Sequence, residues 1–340
     1  MKAIFFETKD WEKPYLEKEL KNLGIDAKFV DVPLSMENAE TAKDFDIVST
    51  FIYSKLSKEV VEKLEKTKLI TTRSTGYDHI DLDACKKKGI VVCNVPGYGT
   101  ETVAEHTLAL MLAISRRIVE SFERTRKGNF STNGLTGFEL MGKTLGIIGA
   151  GRIGRRVAEL AKAFGMKVIA FDVYKNEEES KRIGYKYVDI DTLLKDSDII
   201  SLHANLTKDN YHMLNKETFD KMKDGVIIIN TARGGLIDTK ALIEAIKSGK
   251  VAYAGLDVLE AEKEIKEELE VLYKDVIDKD ELKKMLATHI LVEIEDQLNN
   301  VLITPHNAFN SKEALHRILE ITIDNIKNFI EGRPMNMVNE

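Results

Sequence analysis

The stretch LGIIGAGRIG, Leu145 to Gly154, decides how the chain is read. Mostly apolar residues run into Gly149, Gly151 and Gly154, spaced G-x-G-x-x-G. The next segment, RIGRRVAELAKAF, carries apolar residues at helical spacing and stops at Gly165. A second apolar run, KVIAF, then delivers Asp172, 18 residues past Gly154 (172 − 154). Strand, glycine turn, helix and a following acid are the fingerprint of a dinucleotide-binding β-α-β unit. Gly149 makes the tight turn, Gly151 lets backbone approach a pyrophosphate, and Gly154 lets helix and strand pack closely. Arg152 and Ile153 sit at the mouth of the helix, whose first amides and partial positive charge suit phosphate. Asp172 is placed to accept the ribose hydroxyls of the adenosine and to repel a 2′-phosphate, which favours NAD over NADP. Lys175 nearby softens that preference.

More than a hundred residues precede the motif, and they have an organisation of their own. The apolar runs KAIFF, AKFVDV, DIVSTF, KLITTR and IVVCNV alternate with helical patterns such as YLEKELKNLG and KEVVEKLEKT. From Lys143 a second series follows: TLGII, KVIAF, DIISLH, GVIIIN, AYAGLD and VLITP. Alternating strands and helices predict an α/β protein with two parallel-sheet domains. A length of 340 residues agrees with two cores. The final pattern, SKEALHRILEITIDNIKNFIEG, predicts a helix that crosses back onto the first domain. The expected division is a flavodoxin-like substrate domain, residues 1–99 and 307–340, with a Rossmann NAD-binding domain, 100–306, inserted into it. One long helix is expected over 100–127. Leu108, Leu110, Met111, Leu112 and Ile114 spread over more than one of its faces, which calls for burial on several sides, as in a homodimer interface. A charged helical insertion is expected around 263–297, between the last two strands.

Composition excludes several classes. The chain is 43% hydrophobic and 31% charged with net charge −6, so it carries no basic footprint for nucleic acid. Cys85 and Cys93 form no C-x-x-C pair, and the 7 histidines show no metal-ligand spacing, so no metal is expected. Two cysteines make no disulfide framework, which points to a reducing cytoplasm. No apolar run reaches about 18 residues, and the run near Met1 is too short for a signal peptide.

Ligands of an open parallel sheet lie beyond the carboxyl ends of its strands. After GVIIIN the chain reads TARGG, with Thr231, Ala232 and Arg233. After AYAGL it reads DVLEAE, with Asp257, Glu260 and Glu262; after VLIT it reads PHNAF, with His306 and Phe309. Three consecutive loops thus bring a guanidinium, carboxylates and an imidazole to one edge. That set suits a 2-oxo acid. An Arg clamps the carboxylate with two hydrogen bonds. An imidazolium protonates the ketone oxygen as hydride arrives at carbon. A carboxylate on the imidazole fixes its tautomer and favours the charged form. His203, at the end of a cofactor-side strand, is a candidate nucleotide contact. His106 is expected to be structural, and His79, His212, His289 and His316 to be surface or packing residues.

The motifs GAGRIG followed by the acid, NTARGG, GLDVLEAE and ITPHNA, with RSTGYDHIDLDACKKKGI and NVPGYGTETVAEHT upstream, resemble the D-specific 2-hydroxyacid dehydrogenases. They are nearest to the D-lactate dehydrogenase branch, and the resemblance covers nearly the whole chain. It implies a homodimer, NAD, and Arg233, Glu262 and His306 as catalytic residues. It also implies that Asp257 lies by the nicotinamide and that Thr231 and Ala232 meet the cofactor. Ser74, Thr75 and Gly76 then offer backbone amides to the substrate carboxylate, and Tyr98 lines the pocket. The expected reaction is reduction of a small 2-oxo acid by NADH to the D-2-hydroxy acid, pyruvate to D-lactate first. Glyoxylate, hydroxypyruvate or a bulkier oxo acid are alternatives, and an NAD-sensing binding protein is another class. The chain departs from the family pattern at Lys263, where Pro is usual, at Ala204–Asn205, where Val-Pro is usual, and at Phe309–Asn310, where D-lactate dehydrogenases carry two tyrosines.

Overall fold

Runs of four or five apolar residues, each followed by an amphipathic segment, become strand and helix throughout both halves of the chain. The computed structural model describes residues 1–260, 262, 279–298 and 300–339. They pack as two compact units, Met1–Tyr98 with Asn310–Glu340, and Gly99–Phe309.

The first unit holds five parallel strands: β1 (Lys2–Phe5), β2 (Asp26–Phe29), β3 (Ile47–Thr50), β4 (Leu69–Thr72) and β5 (Val91–Cys93). Their order, β2-β1-β3-β4-β5, is the flavodoxin-like one. Strands β3 and β4 are buried along their whole length, as expected for a sheet covered on both faces. The last helix, Lys312–Ile330, closes one face, setting Leu319, Ile323 and Ile326 against Ala3, Phe5, Leu16 and Leu20. Each Leu, Ile or Phe side chain buried in this way contributes roughly 1.5–3 kcal/mol. The chain end then runs antiparallel beside β5, with the Val338 amide donating to the Val92 carbonyl (3.0 Å), and so covers that sheet edge.

The second unit has seven parallel strands, ordered β12-β11-β10-β9-β6-β7-β8. They are β6 (Thr144–Ile148), β7 (Lys167–Phe171), β8 (Lys186–Tyr187), β9 (Ile199–Leu202), β10 (Val226–Asn230), β11 (Val251–Leu256) and β12 (Val301–Ile303). This is a Rossmann sheet. The sequence predicts six of these strands. The seventh, β8, is two residues at the sheet edge, paired with Ile169 and Ala170, and it has no apolar run to betray it.

The single helix expected over 100–127 is instead two, Thr100–Ser115 and Ile118–Arg126. The Ser115 carbonyl accepts the Phe138 amide (2.9 Å). Arg117 takes the left-handed conformation (φ 52°) while its guanidinium donates to the Tyr253 hydroxyl (2.8 Å) and pairs with Glu120 (3.0 Å). The first helix buries Leu108, Leu110, Met111 and Ile114 inside its own unit, so its apolar faces need no second subunit. Exposed apolar side chains stand on the second helix instead, at Ile118, Val119 and Phe122. Of the charged insertion, Lys279–Leu298 is helical. Residues 263–278, Lys263 among them, lie outside the described residues. No helix among the described residues is long and apolar enough to cross a membrane.

Candidate active site

The glycine turn connects β6 to the helix Arg152–Ala163. Gly149 has φ 95°, and a Cβ there would meet the Ala204 nitrogen at 2.5 Å and the His203 carbonyl carbon at 2.6 Å. Only glycine fits, because the β9 loop crosses directly behind the turn. The space above Gly151 is open, with no atom within 4 Å of a Cβ built there. Arg152 is exposed at the helix start, Ile153 packs on the core and Gly154 is buried in the first turn. Asp172 accepts from the Ala150 amide with Oδ2 (2.7 Å) and from the Tyr174 amide with Oδ1 (2.8 Å), tying the end of β7 to the turn. An open glycine cradle at a helix N-terminus with an acid beside it fits a dinucleotide. His203 hydrogen-bonds Ser201 Oγ (2.8 Å), and removal from water pushes its pKa well down, so its imidazole is neutral.

Three loops follow at the same edge of the sheet. At the end of β10, the fully buried Asn230 accepts from the Ala232 amide (3.0 Å) and donates to the Arg233 carbonyl (2.9 Å). This brace fixes the turn that carries Arg233, and nothing in the local residue pattern singles it out. Thr231 Oγ1 meets Thr107 Oγ1 (2.9 Å), and the Arg233 guanidinium donates to the Ala232 carbonyl (2.8 Å).

At the end of β11, Asp257 is 1% exposed. It accepts from Thr304 Oγ1 and from the Asn307 (2.8 Å) and Ala308 (2.9 Å) amides, and His106 Nε2 stands 3.4 Å away. Burial alone would raise its carboxyl; the hydrogen bonds from His106, Thr304 and the two amides outweigh that and hold it below the usual range. Asp257 therefore shapes the His306 loop. His306 itself is held at φ 53°, left-handed for a residue with a side chain, with its amide donating to the Asp257 carbonyl (2.9 Å). Such backbone strain persists only where its surroundings over-determine it.

Of the carboxylates in DVLEAE, Glu262 is the one at His306: Nδ1 lies 3.1 Å from Oε2 and 3.2 Å from Oε1. Glu260 is turned elsewhere, toward Tyr211, His212 and Thr239. His212, expected to be a surface or packing residue, is thus an acid's partner, with Nε2 2.7 Å from Glu260 Oε1. The Phe309 ring stands edge-on to His306, 6.5 Å between centroids.

The first unit has a polar loop of its own, at the end of β4. Ser74 Oγ donates to the Gly76 carbonyl (2.6 Å), Thr75 Oγ1 to the Val95 carbonyl (2.8 Å), and Asn94 Nδ2 to the Thr75 carbonyl (2.8 Å). Among the described residues nothing accepts from the Thr75 or Gly76 amides. Beneath the loop Arg73 is buried, donating to the Phe6 (2.8 Å) and Glu7 (3.0 Å) carbonyls and to Ser49 Oγ (3.0 Å). It is a second support that sequence reading passed over, since an Arg before a loop reads as a surface residue. Tyr98 is anchored through its carbonyl, which accepts from Arg317 Nε (2.8 Å).

An imidazole with one nitrogen on a carboxylate, a guanidinium on the neighbouring loop and a dinucleotide cradle on the same sheet form the apparatus for hydride and proton transfer at a carbonyl. The comparisons with known proteins agree. Residues 108–308 match the family model described as D-isomer specific 2-hydroxyacid dehydrogenase, NAD binding domain. The chain is 41% identical over 334 residues to D-lactate dehydrogenase of Escherichia coli (strain K12), covering 98% of each. It is 42% identical over 294 residues to aromatic 2-oxoacid reductase of Clostridium sporogenes, covering 86% of this chain and 85% of that one. Among solved structures, D-lactate dehydrogenase from Aquifex aeolicus, complexed with NAD and lactic acid, superposes with a TM-score of 0.88 at 41% identity over 99% of both chains. The chain belongs to the NAD-dependent D-isomer-specific 2-hydroxyacid dehydrogenases, in their D-lactate dehydrogenase branch.

Proposed function

We propose that the chain reduces pyruvate to D-lactate, with Arg233, Glu262 and His306 as the catalytic residues. The observation that carries this reading is the Glu262–His306 pair, 3.1 Å apart, on loops next to the one bearing Arg233. Bound NADH supplies the hydride. His306 Nε2 gives its proton to the ketone oxygen, since Nδ1 is held by Glu262. Arg233 takes the substrate carboxylate and its neighbouring oxygen in a two-pronged contact. Ser74, Thr75, Gly76 and Tyr98 are the substrate-binding residues of the first unit. Gly149, Gly151, Arg152, Ile153, Gly154, Asp172, His203, Thr231, Ala232 and Asp257 hold the cofactor in the Rossmann domain, and the unit built on β1–β5 receives substrate.

Phe309 supports a second reading, in which a branched or aromatic 2-oxo acid is preferred. Its apolar ring beside His306 gives a polar substrate side chain such as that of hydroxypyruvate nothing to bond. The test is NADH oxidation with pyruvate, branched and aromatic 2-oxo acids, glyoxylate and hydroxypyruvate, for wild type and Phe309→Tyr. Apolar side chains are expected to win, and the tyrosine to narrow the margin. A clear preference for glyoxylate or hydroxypyruvate contradicts both readings.

The homodimer belongs to this proposal, now resting on the exposed Ile118, Val119 and Phe122. So does a cytoplasmic location: Cys85 and Cys93 are free and buried, and burial pushes both thiols up to about 11.

A further inference from the structure

We propose that Glu260 and His212 form a latch that positions Arg233 and Glu262 for the reaction, which makes them positioning residues of this active site. The proposal rests on the catalytic assignment above.

The Glu260 side chain is buried between four donors. Its Oε1 accepts from Tyr211 Oη (3.1 Å) and His212 Nε2 (2.7 Å), and its Oε2 from the Thr239 amide (3.2 Å) and hydroxyl (2.8 Å). A buried carboxylate is costly unless it is paired and hydrogen-bonded, and this one is fully provided for. The backbone is held as well. The Glu260 carbonyl accepts from Thr288 Oγ1 (2.9 Å) on the helix Lys279–Leu298.

The same peptide is where the Arg233 loop packs. A Cβ on Gly234 would fall 2.2 Å from the Leu259 carbonyl carbon and 2.6 Å from the Glu260 nitrogen. His212 joins the two loops. Its imidazole holds Glu260, two residues before Glu262, while its amide donates to the Gly235 carbonyl (2.9 Å), two residues after Arg233. To do both it adopts φ 54°, in the left-handed region. Its ring is stacked on Tyr211, 3.9 Å between centroids, and Lys284 Nζ covers the Tyr211 ring at 5.4 Å. His212, Tyr211 and Lys284 are the titratable groups around Glu260 among the described residues.

None of these contacts reaches His306. They set the height of Glu262 and the distance from it to Arg233. Geometry of this kind matters because misplacement by about 1 Å costs roughly a hundredfold in rate.

The test uses two variants of the whole chain. Glu260→Gln keeps the volume but turns an amide NH2 toward donors. His212→Asn keeps a side chain that tolerates left-handed backbone but is too short to hold Glu260. Should Glu260→Gln not fold, His212→Asn carries the test. Each is expected to lower kcat/KM for the oxo acid roughly ten- to a hundredfold. Each is also expected to lower kcat more than it raises KM for NADH, because the latch holds the Arg233 and Glu262 loops and not the glycine turn. A loss confined to melting temperature, with kcat and kcat/KM as in wild type, overturns the latch. His306→Gln in the same assay separates the two failures. If it retains full rate, the catalytic assignment is wrong. If it is inactive while both latch variants match wild type, the latch alone is wrong.

Discussion

His306 Nδ1 faces both carboxylate oxygens of Glu262, at 3.1 and 3.2 Å. A carboxylate only accepts, so Nδ1 carries a proton and Nε2 is left as the nitrogen that exchanges one with substrate in the proposed reaction. His306→Gln is therefore expected to lower kcat by roughly 100-fold or more. Arg233→Lys is expected to act mainly on KM for the oxo acid, because an ammonium cannot make the two-pronged contact. Steady-state kinetics of both variants check this; a His306→Gln enzyme with near wild-type kcat contradicts it.

Asp172 holds the Ala150 and Tyr174 amides. In the proposed cofactor site it is also the carboxylate that a 2′-phosphate would meet, and its substitution should show both effects. Asp172→Ala is expected to narrow the preference for NADH over NADPH about tenfold or more, and to raise KM for NADH as the turn loosens. Comparable kcat/KM for the two coenzymes in wild type contradicts the role.

Much of this was legible in the sequence, for identifiable reasons. Strand, glycine turn, helix and Asp172 form one continuous local pattern, and long buried strands such as β10 read as apolar runs. What escaped depends on contacts made far along the chain. The break at Arg117 follows from the Phe138 amide reaching the Ser115 carbonyl and from the Tyr253 hydroxyl. Glu260 and Glu262 are two residues apart in one loop, and only tertiary structure turns one to His212 and the other to His306. Asn230 looks like the last residue of an apolar strand until its side chain is seen bracing Arg233. The short edge strand β8 has no periodicity to detect.

The proposed dimer contact has a specific surface. Phe122 is 60% exposed on the helix Ile118–Arg126, and Ile118 and Val119 are exposed beside it in sequence. An apolar group of this kind suits a two-fold contact. Sedimentation is expected to give a dimer at micromolar concentration and a shift toward monomer for Phe122→Glu. A wild-type monomer contradicts it.

Acid should weaken the Rossmann unit through Asp257 and Glu260. In both, burial would raise the carboxyl, but hydrogen bonds outweigh it and hold it below the ordinary value in the folded state. A depressed folded pKa stabilises above the unfolded value, and that stability is lost as pH falls through the folded one. Stability is thus expected to be level near neutrality and to fall below about pH 4. Asp257→Asn sets an NH2 among donors, which at neutral pH is expected to cost on the order of 2 kcal/mol and to flatten the acid limb. Denaturant unfolding at pH 7 and in acid checks this. An unchanged acid limb in Asp257→Asn contradicts it.

The most direct test of the account is the kinetics of Glu262→Gln beside wild type, in both directions of the reaction. In the proposed mechanism reduction needs a proton on His306 Nε2, and oxidation needs that nitrogen bare. A carboxylate at 3.1 Å accepts from Nδ1 and so presents Nε2 to substrate. Glu262→Gln keeps the shape but offers a neutral amide, whose NH2 can turn toward Nδ1 and favour the wrong tautomer. Its kcat/KM is expected to fall roughly 100-fold in both directions. Wild-type kcat/KM in both directions would contradict the pairing of Glu262 with His306, and with it the mechanism.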